Sequence, residues 1–126
     1  MALSNFQLDD LFKHDNMYGG CFAKDALPKK IGFDRFYIVN LDDSTGPGTH
    51  WAAIINCISD YCIYFDSYGV APPESVQTFM KTSGKYCLYS SQQLQPLDSD
   101  TCGYWCVYMI TMMRHGNKFL DLISSF

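Results

Sequence analysis

The chain is short of charge and has no long apolar run, and each shortage narrows what it can be. Charged residues make up 17% of its 126 positions and the balance is acidic, with a formal net charge of -4. A surface that neutralises phosphates needs an excess of Lys and Arg, so strong nucleic-acid binding is not expected. The longest uncharged apolar stretches, residues 51–55 and 107–113, fall well short of the roughly 20 residues that a bilayer-spanning helix requires. Residues 1–5 lack the basic region and apolar stretch of a secretory signal, which leads to the expectation of an intracellular protein. In that setting the six cysteines, at positions 21, 57, 62, 87, 102 and 106, should be mostly reduced rather than paired in a disulfide framework. No internal repeat, low-complexity tract or linker is found, and residues 1–126 are expected to form one domain.

What the chain does have is apolar and aromatic bulk. Apolar residues account for 48% of it, with nine Phe, nine Tyr and two Trp, which supplies a packed core and argues against disorder. Ser4 or Asn5 can cap a first helix whose Leu8, Leu11 and Phe12 share one face before Asp15 and Asn16 end it. Residues 18–30, with Gly19, Gly20 and Pro28, read as a loop in which the two glycines could bring backbone close to a ligand. Residues 36–41 are rich in β-formers, and residues 42–48 form a dense turn cluster that leads into a strand from His50 to Cys57. Residues 61–66 return as its antiparallel partner. Both runs are apolar without alternation, which implies a sheet buried on both faces under helices. Pro72, Pro73 and Glu74 open a helix with an apolar face of Val76, Phe79 and Met80 that ends at Gly84. A strand over 85–89, a polar loop over 90–100, a central buried helix over 102–114 and a last short helix over 117–126 complete an α+β pattern.

Four residues carry the chemistry. Ser99, Asp100 and Thr101 are N-cap candidates directly before Cys102, which puts its sulfur in the first turn of the buried helix. The positive end of the helix dipole lowers a cysteine pKa there, and the thiolate is the attacking species. His50 stands where the turn cluster enters its strand, with Trp51 as an aromatic wall, and is the candidate base. Asp66 ends the paired strand of the same hairpin, so its carboxylate can orient the imidazole and stabilise the imidazolium. Gln95, seven residues before Cys102, can donate its side-chain amide to an oxyanion together with the Cys102 backbone N–H. Gly103 leaves room for a substrate backbone. Each residue alone is more often structural; the set of four is what shifts the reading. Cys102 and Cys106 are one helical turn apart, but no second Cys/His pair has zinc-like spacing with them, so no metal site is expected.

The order and wording of the motifs resemble a known family. Gly48-Thr49-His50-Trp51, then Tyr64-Phe65-Asp66-Ser67-Tyr68-Gly69, then Gln95, then Asp100-Thr101-Cys102-Gly103-Tyr104-Trp105-Cys106 are similar to the adenovirus-type (adenain-like) processing proteases and their relatives in DNA viruses and Maverick/Polinton elements. The same scaffold serves the Ulp proteases that remove ubiquitin-like modifiers. The resemblance runs from about Leu8 to Met113. It implies an α+β cysteine protease fold with a mixed or antiparallel central sheet and the nucleophile at the start of a buried helix. The implied triad is His50, Asp66 and Cys102, with Gln95 and the Cys102 N–H as oxyanion donors and Trp51, Gly19, Gly20 and Gly103 lining the substrate cleft. The implied reaction is cleavage of viral capsid or core precursors at Gly-Gly-like sites through an acyl-enzyme.

Three departures from the adenovirus pattern stand out. The acid is Asp66 in place of glutamate. The chain ends soon after the nucleophile helix, which leaves out the C-terminal segment that helps bind cofactors in the adenovirus enzymes. Its acidic balance also speaks against a DNA cofactor. No cofactor is required by the sequence, while an activating viral peptide remains compatible with it. A monomer is expected, with the host nucleus or the virion as the location the family implies. Two other classes stay open: a deconjugating isopeptidase for a ubiquitin-like modifier, and a catalytically inactive binding relative. The complete set of four residues weighs against the last.

Overall fold

The computed structural model describes residues 3–42, 50–57, 60–95 and 101–125. Ser4 starts helix α1 (Asn5–Phe12) through a capping box: its hydroxyl accepts from the Gln7 N–H at 3.2 Å, and the Gln7 side chain accepts from the Ser4 N–H at 2.8 Å. Leu8 and Phe12 are buried, whereas Leu11, expected on the same face, is 58% exposed. The turn cluster at 43–48 and the N-cap candidates Ser99 and Asp100 lie outside the described residues.

Strands β1 (Tyr18–Ala23), β2 (Phe36–Asn40), β3 (Trp51–Ile55), β4 (Tyr61–Phe65) and β5 (Tyr86–Tyr89) form one sheet in that order. The hairpin β3–β4 is antiparallel, as is β2 with β3, while both edge strands pair in parallel. The sheet is therefore mixed, as expected. Its faces divide by residue parity. Phe36, Ile38, Trp51, Ala53, Ile55, Ile63 and Phe65 meet α1, helix α3 (Cys102–Arg114) and helix α4 (Phe119–Ser124). Tyr37, Val39, Ala52, Ile54, Cys62 and Tyr64 meet Val76, Phe79 and Met80 of helix α2 (Glu74–Lys81). This two-sided cover explains the unbroken apolar runs of β2 and β3, because every position of a strand between two helical layers is buried. Helix α3 buries only one stripe, Cys102, Gly103, Cys106, Met109, Ile110 and Met113, and leaves Tyr104 and Tyr108 exposed.

Strand β1 corrects the loop expected over 18–30. A glycine-rich edge strand has no hydrophobic period of its own; pairing with β2 makes it a strand. Its glycines serve packing. A Cβ on Gly19 would lie 2.3 Å from the Tyr37 ring, and Gly20, at φ +126°, stands at the irregularity in the β1–β2 register. Gly20 pairs with Tyr37, which pairs with Ile54, three residues along β3 from Trp51. The glycines thus sit about 10 Å down the strand direction from the His50 end. Gly19 and Gly20, expected to line the substrate cleft, are therefore not neighbours of His50.

Candidate active site

The ends of three elements meet at one edge of the sheet. His50 immediately precedes β3, Asp66 immediately follows β4, and Cys102 is the first residue of α3. The hairpin register, Ala53 opposite Phe65, brings the start of β3 beside the end of β4. A residue on each side of that pairing then lies within side-chain reach of the other. His50 Nε2 is 2.9 Å from Asp66 Oδ1, and the carboxyl group is 2% exposed as a residue. The same Oδ1 accepts from the Tyr68 N–H at 2.8 Å, which holds the carboxylate in place.

With Nε2 committed to Asp66, the ring atom left for the thiol is Nδ1, which is buried and has no hydrogen-bond partner. Cys102 lies against it, and its sulfur accepts from the Trp51 N–H at 3.3 Å. Electrostatics follow from this geometry. Burial pushes the Cys102 thiol up, but the His50 hydrogen bond, the Trp51 N–H, the charge of His50 and the Gly103 N–H outweigh it and hold the thiol below its ordinary value. Burial likewise pulls the His50 pKa down, yet the hydrogen bonds and charges of Asp66 and Cys102 raise it to about 9. Both shifts run in the direction of a thiolate beside an imidazolium. Cys106, one turn further along α3, is fully buried, and desolvation raises its thiol well above the ordinary range. Two cysteines on one helix stripe thus have thiols shifted in opposite directions.

Thr101 occupies the N-cap position of α3 without a side-chain capping bond. Gln95 is 1% exposed and belongs to the same cluster. Its Oε1 accepts from the buried Ser67 hydroxyl, and its Nε2 donates to the Tyr68 hydroxyl over 3.4 Å. The Tyr68 ring in turn stacks on His50, with centroids 4.6 Å apart and planes 12° from parallel. Ser67 and Tyr68 were present in the motif but carried no assigned role, since their partner lies 28 and 27 residues away.

Trp51 and Gly103 do flank Cys102, but the space between them is already filled. A Cβ on Gly103 would stand 3.1 Å from Leu3 Cβ and 3.4 Å from Trp51 Cδ1, and the Trp51 indole N–H donates to the Leu3 carbonyl at 3.0 Å. The missing side chain of Gly103 thus makes room for Leu3, where the sequence suggested room for a substrate backbone. Leu3 had no recognisable signal of its own. The six cysteines are all unbridged.

No family model and no curated protein matches the chain. Solved structures do. A crystal structure of the ASFV pS273R protease superposes with a TM-score of 0.70 at 16% identity, covering 98% of this chain and 61% of its own. A selenomethionine crystal structure of the same protease gives 0.67 at 18% identity, covering 98% and 62%. The chain shares the fold of that protease. It spans under two thirds of the length of these neighbours, and at such identity the likeness speaks for the α+β architecture expected from the sequence, with helices packed on a mixed sheet.

Proposed function

We propose that the chain is a cysteine endopeptidase in which Cys102 is the nucleophile, His50 the base and Asp66 the group that orients it. The observation that carries this reading is the Asp66 Oδ1–His50 Nε2 pair beside the Cys102 sulfur, which stands at a helix start and accepts from the Trp51 N–H, with the thiol lowered and the imidazole raised. That the solved structures sharing this fold are proteases by name, and that the chain's motifs resemble the adenain-like enzymes, adds weight. In the reaction the Cys102 thiolate attacks the scissile carbonyl carbon, and its electrons move to the oxygen. The Gln95 amide and the Cys102 backbone N–H stabilise that oxyanion. His50 Nδ1 then gives its proton to the leaving amine, the C–N bond breaks, and a thioester forms. Water, deprotonated by the same nitrogen, hydrolyses it.

The substrates on this reading are viral capsid or core precursors cut at Gly-Gly-like sequences, in the manner of the adenain-like enzymes, in the host nucleus or the virion. The enzyme works as a monomer and needs no metal; a viral peptide is the activator to test, and the acidic balance disfavours DNA in that role. The test is labelling of the intact protein by a Gly-Gly peptide with a C-terminal cysteine-reactive group, the modified residue being located by peptide mass mapping. Modification confined to Cys102, and lost in His50→Ala, is expected. Labelling at another cysteine, or at Cys102 equally well without His50, would sink the assignment. Cleavage of a precursor peptide against a ubiquitin-like fusion then separates processing from deconjugation.

A further inference from the structure

The turn after β4 does more than carry the acid. Ser67 is fully buried, and its hydroxyl donates to Gln95 Oε1. Its carbonyl accepts from two backbone N–H groups of the other segment, Leu94 at 2.8 Å and Gln95 at 3.1 Å. The segment that brings Gln95 to the site is thus pinned to Ser67 at three points. A terminal amide has a chemically distinct face at each end, oxygen on one and N–H donors on the other, and rotation by half a turn exchanges them. For an oxyanion only the donor end is useful; the oxygen end would repel it. The Ser67 hydroxyl holds the oxygen end and so turns the donors the other way, toward the Tyr68 hydroxyl and the His50 side of the cluster.

We propose that Ser67 and Tyr68 are positioning residues that set the orientation of the Gln95 amide for oxyanion stabilisation, Ser67 by holding Oε1 and Tyr68 by steering Nε2. This rests on the protease reading for its catalytic meaning, though the orientation itself does not. The link also joins the two halves of the machinery: the Tyr68 N–H bonds Asp66, its ring lies on His50, and its hydroxyl meets Gln95. One three-residue turn, Asp66 to Tyr68, thereby holds base and oxyanion donor in one frame.

The test is a double-mutant cycle read in two assays. Hydrolysis of a Gly-Gly peptide coumarin amide passes through an oxyanion; alkylation of Cys102 by iodoacetamide does not. Loss of a whole oxyanion donor costs about 100-fold or more in kcat, and loss of its orientation should cost a part of that, about tenfold, in Ser67→Ala. KM and the alkylation rate should hold within about twofold. In a Gln95→Ala background the same Ser67→Ala and Tyr68→Phe changes should cost nothing further, because their effect passes through an amide no longer there. A full additional loss in that background would show a merely structural role and overturn the proposal, as would unchanged turnover in the single variants. If Ser67→Ala does not fold, Tyr68→Phe, which removes only a hydroxyl from a half-buried ring, carries the cycle alone. A wild-type chain that alkylates at Cys102 and cleaves no peptide, even with the candidate viral activator peptide added, would sink the protease reading instead. The Gln95 side-chain amide resonances then decide: faster hydrogen exchange in Ser67→Ala supports the clamp, and unchanged exchange refutes it.

Discussion

Replacing Asp66 by Asn tests the electrostatic core of the site with little change of shape. The His50 side chain is only 16% exposed, and the ring is held in its charged form up to about 9 against an ordinary 6.5. At about 1.36 kcal/mol per pH unit, that rise amounts to roughly 3 kcal/mol in favour of the imidazolium, after burial has taken its share. Asp66 supplies the leading favourable contribution and Cys102 the rest. If half of it goes with the carboxylate, the imidazolium loses about 1.5 kcal/mol, or roughly tenfold in the population of the thiolate–imidazolium pair. An Asn amide can also turn its N–H donors toward Nε2 and enforce the wrong tautomer, a change that cost about 10⁴-fold in the serine-protease triad. The expected loss of kcat/KM in Asp66→Asn therefore lies between about 10- and 10⁴-fold.

The assay is the pH profile of peptide hydrolysis beside that of iodoacetamide alkylation. In the parent chain activity should rise through the depressed Cys102 pKa and fall as pH passes about 9, where His50 loses its proton. In Asp66→Asn the alkaline fall should move at least a full pH unit toward acid. The same linkage acts on folding. A raised histidine pKa contributes stability that is fully present below 6.5 and lost as pH rises through about 9, and in Asp66→Asn that loss should begin at lower pH. An alkaline limb that stays where it was, with turnover retained, would refute the argument.

Other outcomes follow from the packing around the site. Cys102→Ala should abolish hydrolysis and Cys106→Ala should keep it, while each lowers stability by about 1 kcal/mol for the lost buried group. Gly69 has φ +74° and a Cβ there would lie 2.5 Å from the Ser91 carbonyl oxygen. Gly69→Ala should therefore cost about 1–3 kcal/mol in chemical unfolding and slow hydrolysis by displacing the chain that leads to Gln95. Gly19→Ala should destabilise through the Tyr37 ring while the Cys102 alkylation rate, normalised to folded protein, stays unchanged; a changed rate would return Gly19 to the site.

Much of the frame was legible along the chain, because local chemistry marks it. Ser4 and Gln7 write their own capping box, Pro73 and Glu74 open α2, and the unbroken apolar runs of β3 and β4 announce two-sided burial. The spacing of His50, Asp66, Gln95 and Cys102 pointed to a cluster, since a hairpin register and a helix start are short-range facts. Tertiary structure alone decided the rest. Strand β1 exists because β2 offers it a ladder. The glycines at 19 and 103 make room for Tyr37 and Leu3, neighbours 18 and 100 positions away in the chain. The Ser67 hydroxyl finds its acceptor 28 residues on. A polar or small residue on its own says only that it needs a partner or leaves a space, and which group fills that need is set when distant segments pack, not by the residues beside it.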